Sequence, residues 1–153
     1  MSSPLVSVII PSFERFDYLM NAIESVLQQD YENFEIIVVN DASTQKQYYE
    51  VALPKQVKKI DLKVGLKQKY GFPTDAIRNE GVKKSEGKYL AFLDDDDIWL
   101  PQKLSLQVEA LESSNHKLSS TEGYFGVGIF ADNVNYPLYN KEKFYKKIKK
   151  RYK

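Results

Sequence analysis

Apolar positions along the chain come in short blocks whose period switches repeatedly between that of a strand and that of a helix. Leu5-Val6-Ser7-Val8-Ile9-Ile10 is β-branched and apolar almost throughout. A strand buried on both faces of a parallel sheet reads this way, and Pro11 is expected to end it. From Phe16 the period becomes helical: Phe16, Leu19, Met20, Ile23 and Leu27 form a stripe at i, i+3, i+4, i+7 and i+11. Phe34 to Val39 returns to strand character and stops at the turn formers Asn40-Asp41-Ala42-Ser43. Gln45–Leu53 reads as a short helix closed by Pro54, Val57–Val64 as a strand, and Gly65 to Pro73 as a loop. Thr74 can cap a helix running to Ser85 with Ala76, Ile77, Gly81 and Val82 on its inner face, followed by a strand over Lys88–Leu93. Pro101 suits a first helical position, and Leu104, Val108 and Leu111 form a stripe ending near Ser113-Ser114-Asn115. Lys117–Thr121 reads as one more strand, and beyond Glu122 the pattern specifies no element.

Strands alternating with helices predict an α/β domain with a mostly parallel sheet flanked by helices. In such sheets ligands bind at the carboxyl ends of the strands. Three polar clusters fall there: Pro11-Ser12-Phe13-Glu14 after the first strand, Asn40-Asp41 after the second, and Asp94 to Asp97 after the fourth. They are expected to converge on one crevice.

Composition changes this picture only slightly. The 153 residues suit one domain. The longest apolar runs fall far below the ~20 residues a membrane span needs. The start, Met-Ser-Ser-Pro, lacks the basic region of a secretory signal, and the sequence has no cysteine, which fits a reducing, cytoplasmic compartment. The net charge of +1 hides an uneven distribution: residues 141–153 carry eight Lys/Arg against one Glu, and the acidic excess lies in the rest. Residues 1–140 are therefore read as the domain and 141–153 as a basic tail. In the tail Phe144, Ile148 and Tyr152 recur every four residues, bordered by Tyr145. A basic amphipathic helix touching an anionic membrane or nucleic acid is one reading, and a terminal helix packed on the domain or frayed in solution is the other. No nucleic-acid-binding motif stands elsewhere, so no nucleic-acid partner is expected.

The chemistry concentrates in "LAFLDDDDIW", residues 90–99. Two unit charges ~4 Å apart near a protein surface cost roughly 4 kcal/mol, so four adjacent carboxylates require either screening by water or a positive partner. If the backbone stays extended past Leu93, Asp94 and Asp96 point to one side and Asp95 and Asp97 to the other. Two carboxylates on one side can hold a hard divalent cation that also takes diphosphate oxygens. The plainer alternative is that all four are solvated or face the following helix N-terminus.

Taken together, "VSVIIPSFER", "FEIIVVNDAST" and "IRNEGVKKSEGKYLAFLDDDDIWLPQKL" resemble, in order and spacing, the donor half of a family 2 glycosyltransferase of the GT-A fold. The resemblance covers roughly Val6 to Leu111. It implies a Rossmann-like sheet and a nucleotide-sugar donor, with a UDP-sugar expected. It places Pro11, Ser12 and Phe13 along the base with Glu14 close by, Asp41 against the base, and Arg78 of "IRNEG" near the nucleotide or its phosphates. The acidic DxD-type motif falls on Asp94-Asp95-Asp96: Asp96 is implied to ligate Mn²⁺ or Mg²⁺, Asp94 and Asp95 to contact ribose or sugar, and Asp97 to lie in an outer or capping position. Each has a bland competitor: Phe13 as packing, Asp41 as a turn residue, Arg78 as a solvated helix charge. Trp99 is expected in the core or crevice wall. His116, in a polar turn, is not expected to be a ligand.

The implied reaction is metal-dependent, inverting transfer of a sugar to an acceptor hydroxyl on a glycan, lipid or protein. The general base is not identifiable: Glu122 and Asp132 are available carboxylates, but neither stands in a recognised motif. The family's acceptor-binding half continues beyond the segment that matches, so a non-catalytic or fragmentary nucleotide-sugar-binding module is the alternative. A haloacid-dehalogenase-like phosphatase also places Asp-x-Asp after a strand. However, it expects Thr or Val where Asp97-Ile98-Trp99 stand.

Overall fold

A computed structural model describes residues 3–66, 69, 74–131 and 133–138. The basic tail, Asp132, and residues 67, 68 and 70–73 of the expected loop lie outside the described residues. Strands β1 (Val6–Ser12), β2 (Phe34–Asn40), β3 (Val57–Asp61) and β4 (Tyr89–Phe92) form one parallel sheet in the order β3-β2-β1-β4. They alternate with helices α1 (Phe16–Leu27), α2 (Gln47–Glu50), α3 (Thr74–Val82) and α4 (Lys103–Glu112). This is the predicted α/β architecture with a parallel sheet.

Both faces of the central strands are covered, which is why β1 and β2 read as unbroken apolar runs. On one face Val6, Val8, Ile10, Ile36 and Val38 pack with Phe16, Leu19, Ala22, Ile23 and Val26 of α1 and with Tyr48, Trp99, Leu104 and Val108. On the other, Ile37 and Val39 meet Ile77 of α3, with Ile60, Leu62 and Leu66 at the margin. Trp99 is core, as expected. The apolar face of α1 is rotated from the expected stripe: Ala22 and Val26 are fully buried, whereas Met20 and Leu27 are only partly so.

Several boundaries differ from the sequence reading. β1 continues through Pro11 and Ser12, pairing them with Val39 and Asn40. The Leu93 N–H donates to the Ile9 carbonyl (3.1 Å), and β4 pairs no further along β1 than Ile9. Pro11, two residues on, turns its missing donor to that same side beyond the last paired residue, where a proline costs no ladder bond. Helix α2 is a single turn, β3 ends at Asp61 and α3 at Val82. In the expected loop Leu66 and Lys69 are helical, and the Lys69 N–H donates to the Gly65 carbonyl (3.1 Å). Lys117–Thr121 forms no strand: Leu118 is 84% exposed, with no apolar surface to anchor it. Among the described residues no helix is long and apolar enough to cross a membrane.

The segment after β4 is tied to α1. The Ser25 hydroxyl accepts from the Trp99 N–H (3.1 Å). The buried Gln29 amide donates to the Leu100 carbonyl (2.8 Å) and accepts from the Leu104 N–H (3.0 Å), supplying an orphan donor at the start of α4 with its partner. The acidic residues are thus strung between a strand and a fixed strap.

At the amino end of the sheet, Glu35 accepts from the Ser7 hydroxyl (2.6 Å), the Glu86 N–H (2.7 Å) and Lys58 Nζ (2.8 Å). Burial pushes its carboxyl up, but these bonds outweigh burial and hold it below its ordinary value. A carboxyl held low contributes stability that is present above its unfolded pKa, ~4.3, and lost as pH falls through the folded value. Glu35→Gln is therefore expected to destabilise by about 1–3 kcal/mol at pH 7. In denaturant melts across pH, its gap from the parent should close below about pH 4.

Gly81 lets α3 approach the sheet closely, since a β-carbon there would lie 2.6 Å from Ile9 Cγ2 and 3.2 Å from Val39 Cγ2. Gly81→Ala must push the helix outward and is expected to cost about 1–3 kcal/mol in equilibrium unfolding.

Candidate functional site

The chain runs from β1 outward through β2 to β3, then returns by α3 to place β4 on the other side of β1. That reversal is a topological switch point, where loops diverge and leave a crevice at the carboxyl edge. The ends of β1, β2 and β4 deliver to it Ser12 to Arg15, Asn40 to Ser43, and Asp94 to Asp97.

The acidic run does not stay extended. The Asp97 N–H donates to the Asp94 carbonyl (3.1 Å), closing a turn with Asp95 and Asp96 at its centre. The four carboxylates therefore have different surroundings instead of alternating sides. Asp95 points inward and is only 7% exposed. Its Oδ2 accepts from the Ser12 hydroxyl (2.8 Å), its Oδ1 from Arg15 Nη1 (3.3 Å), and the Phe13 backbone N–H also bonds it. Burial pushes this carboxyl up, aided by Asp96 and opposed by Ser12, Arg15 and Phe13. Asp96 is half-exposed and receives the shorter bond from Arg15 Nη1, 2.6 Å to Oδ2. Asp94, also about half-exposed, accepts from Arg78 Nη2 (2.5 Å). The Asp97 carboxyl is pushed up by partial desolvation and by Asp96 and Asp94.

Behind Asp95 lies a directional hydrogen-bond chain. Tyr48 Oη accepts from the Arg15 backbone N–H (3.2 Å) and lies 2.5 Å from Ser12 Oγ. Because Ser12 donates to Asp95, Tyr48 donates to Ser12. Burial pushes the Tyr48 hydroxyl up, keeping it protonated for that role.

The other expected residues take supporting positions. Glu14, at φ 56°, accepts from the Thr44 N–H (2.5 Å) and hydroxyl (2.8 Å). Those bonds hold its carboxyl below the ordinary value, and they strap the β1 loop to the β2 loop. Asp41 is fully buried: its N–H donates to the Ser12 carbonyl (3.0 Å) and its Oδ1 accepts from the Leu66 N–H (2.6 Å). Pro11 is enclosed in β1, and Phe13 is half-buried at the rim. The Arg78 guanidinium lies 6.0 Å from the Phe92 ring centroid, and its buried Nε has no hydrogen-bond partner among the described residues. Ser12, Glu14, Asp41 and Asp95 thus assemble the crevice, while Arg15, Arg78, Asp94 and Asp96 present charge to it. The burial and bonding of Asp95 fit it to hold these loops together. His116 lies elsewhere, lining a shallow cleft with Lys88, Tyr89 and Glu112 at the amino end of β4.

Arg15 and Tyr48 carry little or no signal in the sequence. The only signal for Arg15 was a cation directly after the β1 cluster; for Tyr48 there was none.

Among the described residues no three Asp, Glu, His or Cys side chains converge as a metal cage. What the turn offers is carboxylate oxygen with open coordination, the donor set of a Mg²⁺ or Mn²⁺ held by one or two carboxylates and completed by phosphates and water. Asp96, exposed and cation-paired, has the right chemistry.

A glycosyltransferase of Rickettsia bellii, itself uncharacterized, is 45% identical over 116 residues, covering 76% of this chain and 16% of the relative. The UDP-Glc:alpha-D-GlcNAc-diphosphoundecaprenol beta-1,3-glucosyltransferase WfgD of Escherichia coli is 35% identical over 115 residues, covering 75% of this chain and 44% of WfgD. The crystal structure of S. aureus TarS 1-349 in complex with UDP superposes with a TM-score of 0.58 at 27% identity, covering 71% of this chain and 32% of TarS. The chain thus spans less than half the length of these proteins. The family model described as Glycosyl transferase family 2 matches residues 7–153, and the chain, with its GT-A sheet, belongs to that family.

Proposed function

We propose that this chain is the nucleotide-sugar-binding region of an inverting, metal-dependent glycosyltransferase that takes a UDP-sugar donor. The observation that carries the reading is the acidic turn at the switch point, with Asp94 and Asp96 facing outward and each matched by an arginine from a different element. UDP is favoured because TarS is described in complex with UDP and WfgD is named for a UDP-Glc donor. Family membership leaves no place for the phosphatase alternative.

On this reading Asp96 holds Mn²⁺ or Mg²⁺, which stabilises, as a Lewis acid, the charge that develops on the leaving diphosphate. Asp94 accepts from ribose or sugar hydroxyls. Arg78, held over Phe92, offers its fork to phosphate oxygens, a geometry a guanidinium matches bidentately. Phe13 gives the base an apolar rim, and Asp41 shapes the floor beneath it. Asp95 and Ser12 keep the three loops in register. The domain, residues 1–140, acts in the cytoplasm. Its acceptor is a hydroxyl on a glycan, lipid or protein, with the basic tail available for contact with a membrane surface.

Calorimetric titration with UDP, with and without Mn²⁺, tests the metal assignment. Mn²⁺ is expected to tighten UDP binding, and Asp96→Ala to abolish that increment while leaving metal-free UDP affinity within about threefold. An unchanged Mn²⁺ dependence overturns it. Arg78→Ala is expected to weaken UDP about 10–100-fold, the worth of a charge-assisted bond to phosphate of ~1.5–3 kcal/mol. Release of UDP from a UDP-sugar in the presence of acceptor distinguishes transfer from a binding-only module.

A further inference from the structure

We propose that Arg15 is a mobile counter-ion: it occupies the exposed side of Asp96 until a nucleotide diphosphate arrives, and so makes cation binding depend on donor binding. The inference rests on the reading of Asp96 as the cation ligand.

One nitrogen, Arg15 Nη1, bridges two carboxylates, at 2.6 Å from Asp96 Oδ2 and 3.3 Å from Asp95 Oδ1. A divalent cation on the same oxygen would have to displace that bond, and one on Oδ1 would stand beside a full positive charge, so Arg15 opposes metal binding to Asp96. The arginine has somewhere to go. Its side chain is half-exposed, while its backbone is anchored, the N–H on the Tyr48 hydroxyl (3.2 Å) and the carbonyl receiving the Leu19 N–H (2.9 Å). The guanidinium can therefore swing on a fixed pivot. Arg78 differs: its side chain is only 26% exposed, it lies against Phe92 and its Nε is buried. Of the two arginines at the turn, Arg15 is the one whose guanidinium can move, and Asp95 keeps its bonds to Ser12 and Phe13 when it does.

A diphosphate changes the balance because its oxygens accept both cations at once. Arg15 moves from Asp96 to a phosphate oxygen, and the vacated carboxylate oxygen takes the metal. Such coupling is reciprocal, so the nucleotide raises metal affinity by the factor by which metal raises nucleotide affinity. Without Arg15, Asp96 is open to metal in the absence of nucleotide.

Mn²⁺ binding to the whole chain, followed by electron paramagnetic resonance with and without UDP, tests this. For the parent, weak Mn²⁺ binding tightened by UDP is expected. For Arg15→Gln, Mn²⁺ alone should bind about 3–10-fold more tightly, and the UDP-dependent gain should fall by about tenfold, within the range of ordinary coupling. Arg15→Lys, a shorter point charge that keeps the cation, should retain part of the gain and guards against misfolding of the glutamine variant. Unchanged or weaker Mn²⁺ binding to Arg15→Gln without UDP, with the gain intact, overturns the proposal. Asp96→Asn separates the two levels. Loss of Mn²⁺ binding in both conditions upholds the cation site, so a failure confined to Arg15→Gln falls on the counter-ion alone. Unchanged binding in Asp96→Asn overturns the site reading itself.

Discussion

The crevice depends on how one buried carboxylate is satisfied. Asp95 lies inside the protein, where an ionised group without partners would be too costly to keep. Its partners come from elsewhere in the sequence: the Ser12 hydroxyl and Phe13 amide at the end of β1, and Arg15 at the start of α1. Satisfying Asp95 therefore fixes the β4 turn against the β1 loop. Through Ser12 and Tyr48 the constraint extends to α2, and through the Ser12 carbonyl to Asp41 at the end of β2. Loops separated by some 80 residues are locked into one register by a single group.

That lock works because the sheet delivers the loops to one place. A parallel sheet buried on both faces fixes strand register by packing, and reversal of strand order at β1 leaves the carboxyl edge open. The helices divide the work. α1, with α4 and Trp99, seals one face and anchors the strap beyond the acidic turn through Ser25 and Gln29. α3 covers the other face through Ile77 and Gly81 and brings Arg78 up beside Asp94. The site's charges are thus carried by elements whose own positions are set by apolar burial.

Most of this framework was legible in the sequence because it rests on periodicity and local turn chemistry. The strands, the helical stripe of α1 and the three clusters at strand ends follow from patterns within ten residues. Legibility failed where a long-range partner decided. Pro11 reads as a strand stop, but it remains in β1 because its missing donor faces a side β4 no longer reaches. The four aspartates look alike, and only the turn closed between Asp97 and Asp94 separates an inward Asp95 from an outward Asp94 and Asp96. Tyr48 has no local signature at all: its role comes from a ring packed edge-on against Phe16, 5.3 Å between centroids, with the hydroxyl left at Ser12. Lys117–Thr121 shows the converse, a stretch with one large apolar side chain and no surface to pair or pack against.

The two buried carboxylates at opposite ends of the sheet show why one end is structural and the other suited to chemistry. Glu35 and Asp95 are similarly enclosed, 8% and 7% exposed. Glu35 is held below its ordinary pKa because a lysine at 2.8 Å, a hydroxyl and an amide outweigh desolvation. Asp95 is pushed above its ordinary value because desolvation outweighs its bonds, Arg15 giving its better contact, 2.6 Å, to Asp96 and leaving Asp95 3.3 Å. Allocation of the cation adds to burial in separating the two. At the amino end the shared cation is given the other way: Lys58 makes its shorter contact, 2.8 Å, with the buried Glu35 and its longer one, 3.3 Å, with the exposed Glu86. At the carboxyl end, among the described residues, two guanidinium groups pair with Asp94, Asp95 and Asp96 of the four adjacent carboxylates, leaving the turn with more negative than positive charge. Under-compensation of this kind is costly to the isolated domain, and it is the electrostatic setting characteristic of sites that take a ligand.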